Sequence, residues 1–203
     1  PLAIFWQQLQ HDGQAMQDKM WSVKNMNPDR DTAKELFINA KEGVNDENKP
    51  QFDRAVDFYI VNKCSFSGLT ESSSFSPQAS ESNFSFRGIE KLGEYGKLIE
   101  NWSITNYDWK ELISDNPKAF IYLDGKKGAM HKGFDHDDFA SVCDEFTSPQ
   151  LISYNSTQLV RDRFKNWNAA EFALTYTMRS VGDYMSDQQE RKELLLLNYA
   201  PSS

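Results

Sequence analysis

Apolar residues recur at helical spacing through the first hundred positions. Leu2, Phe5, Trp6 and Leu9 form one stripe, and Met16 and Met20 continue it beyond Gly13, which predicts one or two amphipathic helices packing on a core. A second helix is expected from an Asp31 N-cap, with Leu36, Phe37 and Ala40 facing inward and Gly43 ending it. A third stripe, Phe52, Ala55, Val56, Tyr59 and Ile60, runs into Asn62 and Lys63. Residues 65–85 lack periodicity and hold nine serines with Phe66, Phe75 and Phe84, followed closely by Phe86. This segment reads either as an ordered surface loop or as a recognition loop with aromatic wedges. A helix over residues 89–101 is expected next.

Beyond residue 101 the pattern changes to the alternation of an α/β protein. Short strands are expected at 102–105, 119–123, 151–154, 172–177 and 193–199. Helical segments are expected at 108–113, from an Asp135 cap onward, and at 157–165, with a polar insertion at 179–192. The order predicts a sheet that is parallel at first and closes with a hairpin.

The chain has 203 residues, 22 basic and 30 acidic side chains, a net charge of −8 and 39% hydrophobic content, which excludes global disorder. That acidity argues against a partner held by bulk electrostatics and leaves room for a local basic groove. The longest apolar run, Leu194 to Leu197, is strand-sized, so no membrane span is expected. Cys64 and Cys143 form no CxxC pair, and a reducing, cytoplasmic setting is expected.

Asp124 follows the hydrophobic run 119–123, the edge where open α/β sheets bind ligands, although a turn role is equally compatible. His131, Asp135, His136, Asp137 and Asp138 crowd together, but no paired-histidine helical pattern accompanies them and two of the acids suit capping. No metal is expected. Gly125-Lys126-Lys127-Gly128 fits neither a Walker loop nor a dinucleotide fingerprint, and no GxSxG elbow occurs. Lys126, Lys127 and Lys132, with His131, are either phosphate grips or solvated loop charge.

Several separated pieces resemble one family. They are residues 62–69 (NKCSFSGL), 119–124 (AFIYLD), Gly133-Phe134 before an acidic helix start, 152–156 (ISYNS) and 193–199 (ELLLLNY). Their order and spacing resemble the DNA adenine methyltransferases of the Dam type, phage or bacterial. The resemblance implies a Rossmann-like methyltransferase sheet, mostly parallel with a C-terminal antiparallel hairpin, plus a mainly helical DNA-recognition insertion. Residues 1–29 and 101–203 would form the catalytic domain and 30–100 the target-recognition region. The implied reaction moves a methyl group from S-adenosyl-L-methionine to the N6 amino group of adenine in double-stranded DNA. A non-catalytic DNA-binding relative is the alternative, and a protein-interaction scaffold a third reading.

By the same resemblance Asp124 is the catalytic carboxylate, and Asp108, Trp109 and Asp124 contact the methyl donor, with core packing an equal role for Trp109. Ser67, Arg87, Lys91, Lys126, Lys127 and Lys132 contact DNA, the protein acting as a monomer or weak dimer. The match in the recognition segment stops at Leu69, so specificity for GATC is not carried over. Two departures stand out: the FxGxG donor motif is missing, and Gly-Lys-Lys-Gly follows Asp124 in place of Pro-Pro-Tyr. The expectation is a longer covalent chain, with residues before Pro1 and a loop omitted between Asp124 and Gly125.

Overall fold

The computed structural model describes residues 1–68, 73–124, 134–174 and 191–200. It divides into two compact units, Pro1–Tyr107 and Asp108–Ser203.

In the first unit α1 (Leu2–His11), α2 (Gly13–Met26), α3 (Arg30–Gly43) and α4 (Gln51–Cys64) follow the apolar stripes, and residues 1–29 pack on the same core as the helices that follow. The Asp12 carboxylate caps α2 through the Ala15 amide at 2.8 Å. The cap of α3 lies two residues before the expected one. Asp29 reaches the Asp31 and Thr32 amides, at 3.0 and 2.9 Å, and leaves Asp31 in the first turn, where its charge complements the helix dipole. α4 is buried from Ala55 through Val61, so it forms the centre about which Leu9, Met16, Met20 and Phe37 close. This burial includes Asp57, whose carboxyl is pushed up by desolvation while its ion pair with Lys49 opposes the shift.

The helix expected over 89–101 is interrupted: α6 (Phe86–Ile89) and α7 (Leu92–Leu98) are separate short helices. The break leaves the Gly93 amide without a helical acceptor, and Gln17 Oε1 takes its hydrogen bond at 3.1 Å. Close approach requires glycine here. A Cβ on Gly96 would stand 2.6 Å from the Leu9 carbonyl oxygen and 3.1 Å from the Gly13 Cα, so α7 lies against the α1–α2 corner on bare backbone.

The serine-rich segment is ordered where it is described. Ser65 bridges Phe75, the Phe66 amide donates to the Ser74 carbonyl, and Ser76 caps α5 (Pro77–Ser82). Phe84 is fully buried and Phe75 packs against the core, so these two phenylalanines anchor the segment; Phe66 is 56% exposed. Residues 102–105 do not form the expected strand. Two of their carbonyls are engaged by α1 side chains instead: Gln10 Nε2 donates to Trp102 at 2.7 Å and Gln7 Nε2 to Ile104 at 2.9 Å, Gln10 also reaching the Ile99 carbonyl just before them at 2.6 Å.

The second unit contains α8 (Trp109–Leu112), β1 (Ile121–Asp124), α9 (His136–Glu145), β2 (Gln150–Asn155), α10 (Gln158–Arg163), β3 (Asn168–Leu174) and β4 (Arg191–Leu197). The strand order is β1-β2-β4-β3. β1 and β2 are parallel, and β4 is antiparallel to both of its neighbours, so the last strand enters between β2 and β3. β3 begins four residues before the expected start because Asn168 already pairs with Leu197. Ile152, Tyr154, Leu194 and Leu196 line one face and pack with Phe139, Ala140 and Cys143 of α9 and with Val160 and Phe164. Asp135 caps α9 through the Asp137 and Asp138 amides. Both cysteines are buried and free, one in each unit.

Candidate active site

β1 is a four-residue edge strand with alternating burial. Leu123 turns into the core, which places Tyr122 and Asp124 together on the opposite, exposed face. The register sets Asp124 beside Ser153 of β2. Ser153 Oγ donates to Asp124 Oδ1 at 3.0 Å, and the Tyr122 hydroxyl lies 3.0 Å from the same Oγ. Ser153 is buried, so its hydroxyl is a fixed pivot; committing its proton to Asp124 leaves it an acceptor for the Tyr122 hydroxyl. The carboxylate is thereby held in one orientation at the carboxyl edge of the parallel pair, and its second oxygen bonds no described residue.

Sequence reading missed Ser153 and Tyr122 as members of this group. The signal was present in the period of two: Tyr122 shares a strand face with Asp124, and Ser153 occupies the corresponding end of the next strand.

The next strand end carries a second polar group. Ser156 Oγ donates to Glu171 Oε2 at 2.7 Å, Arg161 pairs with the same carboxylate, and Lys192 Nζ lies 3.0 Å from Glu171 Oε1. The Ser156 hydrogen bond, then Lys192, hold the Glu171 carboxyl below the usual range.

Asp108 accepts from the Lys110 amide at 3.0 Å as the N-cap of α8. Trp109 packs edge-on to Phe139 at 5.1 Å and near Phe134 at 6.2 Å. Of the three candidate donor contacts, Asp108 thus also caps a helix and Trp109 also packs against the unit's aromatic core. Lys110 pairs with Asp138, and this hydrogen bond raises the ammonium above its ordinary value. His136 hydrogen-bonds the Tyr154 hydroxyl, and Asp137 pairs with Arg163, so the acidic cluster suggested by the sequence is taken up by capping and pairing. Burial pushes Tyr154 up to about 12. No group of three or more His, Cys, Asp or Glu able to hold a metal occurs among the described residues.

The candidate DNA contacts fall in the helical unit and outside it. Ser67 lies in a 3-10 turn, Phe66–Gly68, closed by Asn62 Nδ2 donating to the Gly68 carbonyl at 2.8 Å. Gly68 has φ +67, a backbone conformation that favours glycine. Arg87 is exposed in α6, and Lys91 is exposed at the start of α7; neither forms an ion pair with a described residue. Lys126, Lys127 and Lys132 lie outside the described residues, as does His131. The sequence runs directly from Asp124 to Gly125, so the expected omission there is corrected: Gly-Lys-Lys-Gly is what this chain carries in place of Pro-Pro-Tyr.

The second unit is thus a mixed α/β sheet with an oriented acid at a strand's carboxyl edge, the edge where open α/β sheets bind ligands. The profile of the family described as D12 class N6 adenine-specific DNA methyltransferase matches residues 1–178, and the chain belongs to that family. Members transfer a methyl group from S-adenosylmethionine to adenine N6 in DNA. A search of curated proteins found no match. Among the described residues no helix is long and apolar enough to cross a membrane.

Proposed function

We propose that Asp124 is the carboxylate that orients the adenine amino group for methyl transfer. The amino nitrogen is a poor nucleophile because its lone pair is delocalised into the ring. A fixed carboxylate that accepts one amino hydrogen aims that lone pair and relieves the positive charge that develops on nitrogen. The observation carrying this reading is the hydrogen bond from buried Ser153 to Asp124 Oδ1. The exposed Tyr122 ring, on the same strand face, offers an apolar surface beside the acid. The target base reaches such a site only after leaving the helix stack, at a cost of a few kcal/mol. S-adenosylmethionine supplies the methyl group. Asp108, Trp109 and Asp124 contact the methyl donor in this reading, Asp108 while its carboxylate caps α8 and Trp109 while one side of its ring packs on Phe139.

Residues 101–203, with 1–29, supply the catalytic part in this reading within a Rossmann-like sheet, and residues 30–100 recognise the target. Ser67, Arg87 and Lys91 on the helical unit, with Lys126, Lys127 and Lys132, supply the contacts to bases and phosphates. The test is transfer of radiolabelled methyl groups to duplex oligonucleotides. Wild type labels adenine, and Asp124→Asn loses about a hundredfold or more in turnover with an unchanged circular dichroism spectrum. Label on cytosine, or an undiminished mutant rate, overturns the assignment. A wild type that binds duplex without any transfer is the non-catalytic relative.

A further inference from the structure

The helical unit contains a cavity of about 360 Å³, and of its lining residues the methyl-transfer reading uses Lys91 alone, as a contact to DNA. Trp6, Phe58 and Tyr59 contribute aromatic walls, Asn62 and Asn83 contribute amides, and Lys63 and Lys91 stand among the lining residues. The volume falls within the range of small-molecule sites. Its polar groups retain bonding capacity. Asn62 gives Nδ2 to Gly68 but its Oδ1 bonds no described residue, and Asn83 accepts from Ser82 while its Nδ2 bonds none. The Tyr59 hydroxyl makes no hydrogen bond to a described residue, and burial pushes its pKa up to about 12, so it remains a donor at neutral pH.

Lys63 extends over the Tyr59 ring, 5.6 Å from its centroid, and neither it nor Lys91 forms an ion pair with a described residue. In a chain of net charge −8, two such cations beside one aromatic cavity select an anion. The aromatic walls select a flat ring, and amides offering both donor and acceptor suit the edge of a base.

We propose that this cavity binds a nucleotide, with its base between the aromatic walls and its phosphate at Lys63 and Lys91. The nucleotide can be free, or it can be an extrahelical nucleotide within a DNA strand; the recognition chemistry is the same.

Calorimetric titration of the full chain with adenosine 5′-monophosphate tests this. Saturable binding is expected, with adenosine and inorganic phosphate each at least about tenfold weaker. Lys63→Gln and Lys91→Gln should each weaken the nucleotide by about tenfold. Gly88→Leu, which fills the cavity, should abolish binding. A Cβ at Gly88 would meet Ser85 Oγ at 3.4 Å and the Tyr59 hydroxyl at 3.6 Å, so the first carbon is accommodated. The two lysine variants lie at or near the surface and keep the test valid if Gly88→Leu fails to fold. Competition by a duplex carrying one extrahelical adenosine identifies the strand as the source, and binding without such competition identifies the free nucleotide. No saturation up to about 1 mM, or affinity unchanged by both lysine variants, overturns the proposal. Displacement by S-adenosylmethionine with those variants unaffected places the nucleotide elsewhere and overturns it too. Asp124→Asn leaves this binding unchanged, so failure of the methyl-transfer reading and failure of this one are told apart.

Discussion

The helical unit and the sheet unit solve the same burial problem in opposite ways. In residues 1–107 each of α1 to α4 carries its own apolar stripe, and the core assembles from locally complete pieces, with Leu9, Met16, Met20 and Ile60 fully or almost fully buried. In residues 108–203 the described strands depend on one another for burial. The sheet becomes a core only when β4, nearly forty residues after β2, enters between β2 and β3 and sets Leu194 and Leu196 beside Ile152 and Tyr154. The contrast shows why the oriented acid is in the second unit. An edge strand with one face packed and one face open holds a carboxylate rigidly while presenting it, whereas a helix stripe buries what it orients.

Removing core volume from each unit in turn tests this contrast most severely. Leu9→Ala and Leu194→Ala should each cost about 2 to 5 kcal/mol, because both side chains are fully buried. If the units fold independently, calorimetry shows two transitions and each variant lowers one of them. A single transition displaced by both variants would mean that the division into units has no thermodynamic counterpart.

Arg87→Ala probes the recognition assigned to the helical unit. If Arg87 holds a guanine through two hydrogen bonds, the variant should cost about 1 to 3 kcal/mol at one base position and relax selectivity there. If Arg87 holds only a phosphate, the variant weakens all sequences alike. Methylation profiling over a random-sequence library at fixed salt separates these results, and an unchanged profile with unchanged affinity removes Arg87 from the interface.

Ser153→Ala examines the corresponding role of the sheet unit. Without the hydrogen bond to Asp124, kcat should fall about tenfold with little change in KM for DNA, and Ser153→Thr, which restores the hydroxyl, should recover part of the loss. Equal loss in both variants would point to packing at this position instead.

A smaller effect is expected on acid stability. Asp115 accepts from the hydroxyls and amides of both Ser148 and Thr147 at 2.8 to 2.9 Å, which holds its carboxyl below the ordinary value of 3.8, with the Ser148 hydrogen bond the largest cause. A carboxyl whose folded pKa is depressed contributes stability above its unfolded value, and that contribution is lost as pH falls through the folded pKa. Thermal melts from pH 5 to below pH 3.8 should therefore decline less steeply for Asp115→Asn than for wild type. Equal slopes would show that these hydrogen bonds do not survive in solution.

Helices α1 to α4 were legible from the residues alone, because side-chain periodicity is contained in the segments that form them, although the cap of α3 proved to be Asp29 and not Asp31. The positions of Asp124 at a strand end and Asp135 at a helix start were legible too, both being local facts. Residues 102–105 were misread, because their β-compatible side chains lost to hydrogen bonds from Gln7 and Gln10 about ninety positions away. Residues 89–101 read as one helix, because the approach that needs bare glycine, Gly96 against Leu9 and Gly13, exists only between packed elements. Only the assembled molecule made Phe84 an anchor, left Phe66 exposed, and brought Ser153 and Tyr122 together at Asp124. The physical reason is range: a period and a cap are written into neighbouring residues, whereas a strand register and a close glycine approach depend on which distant backbone comes alongside.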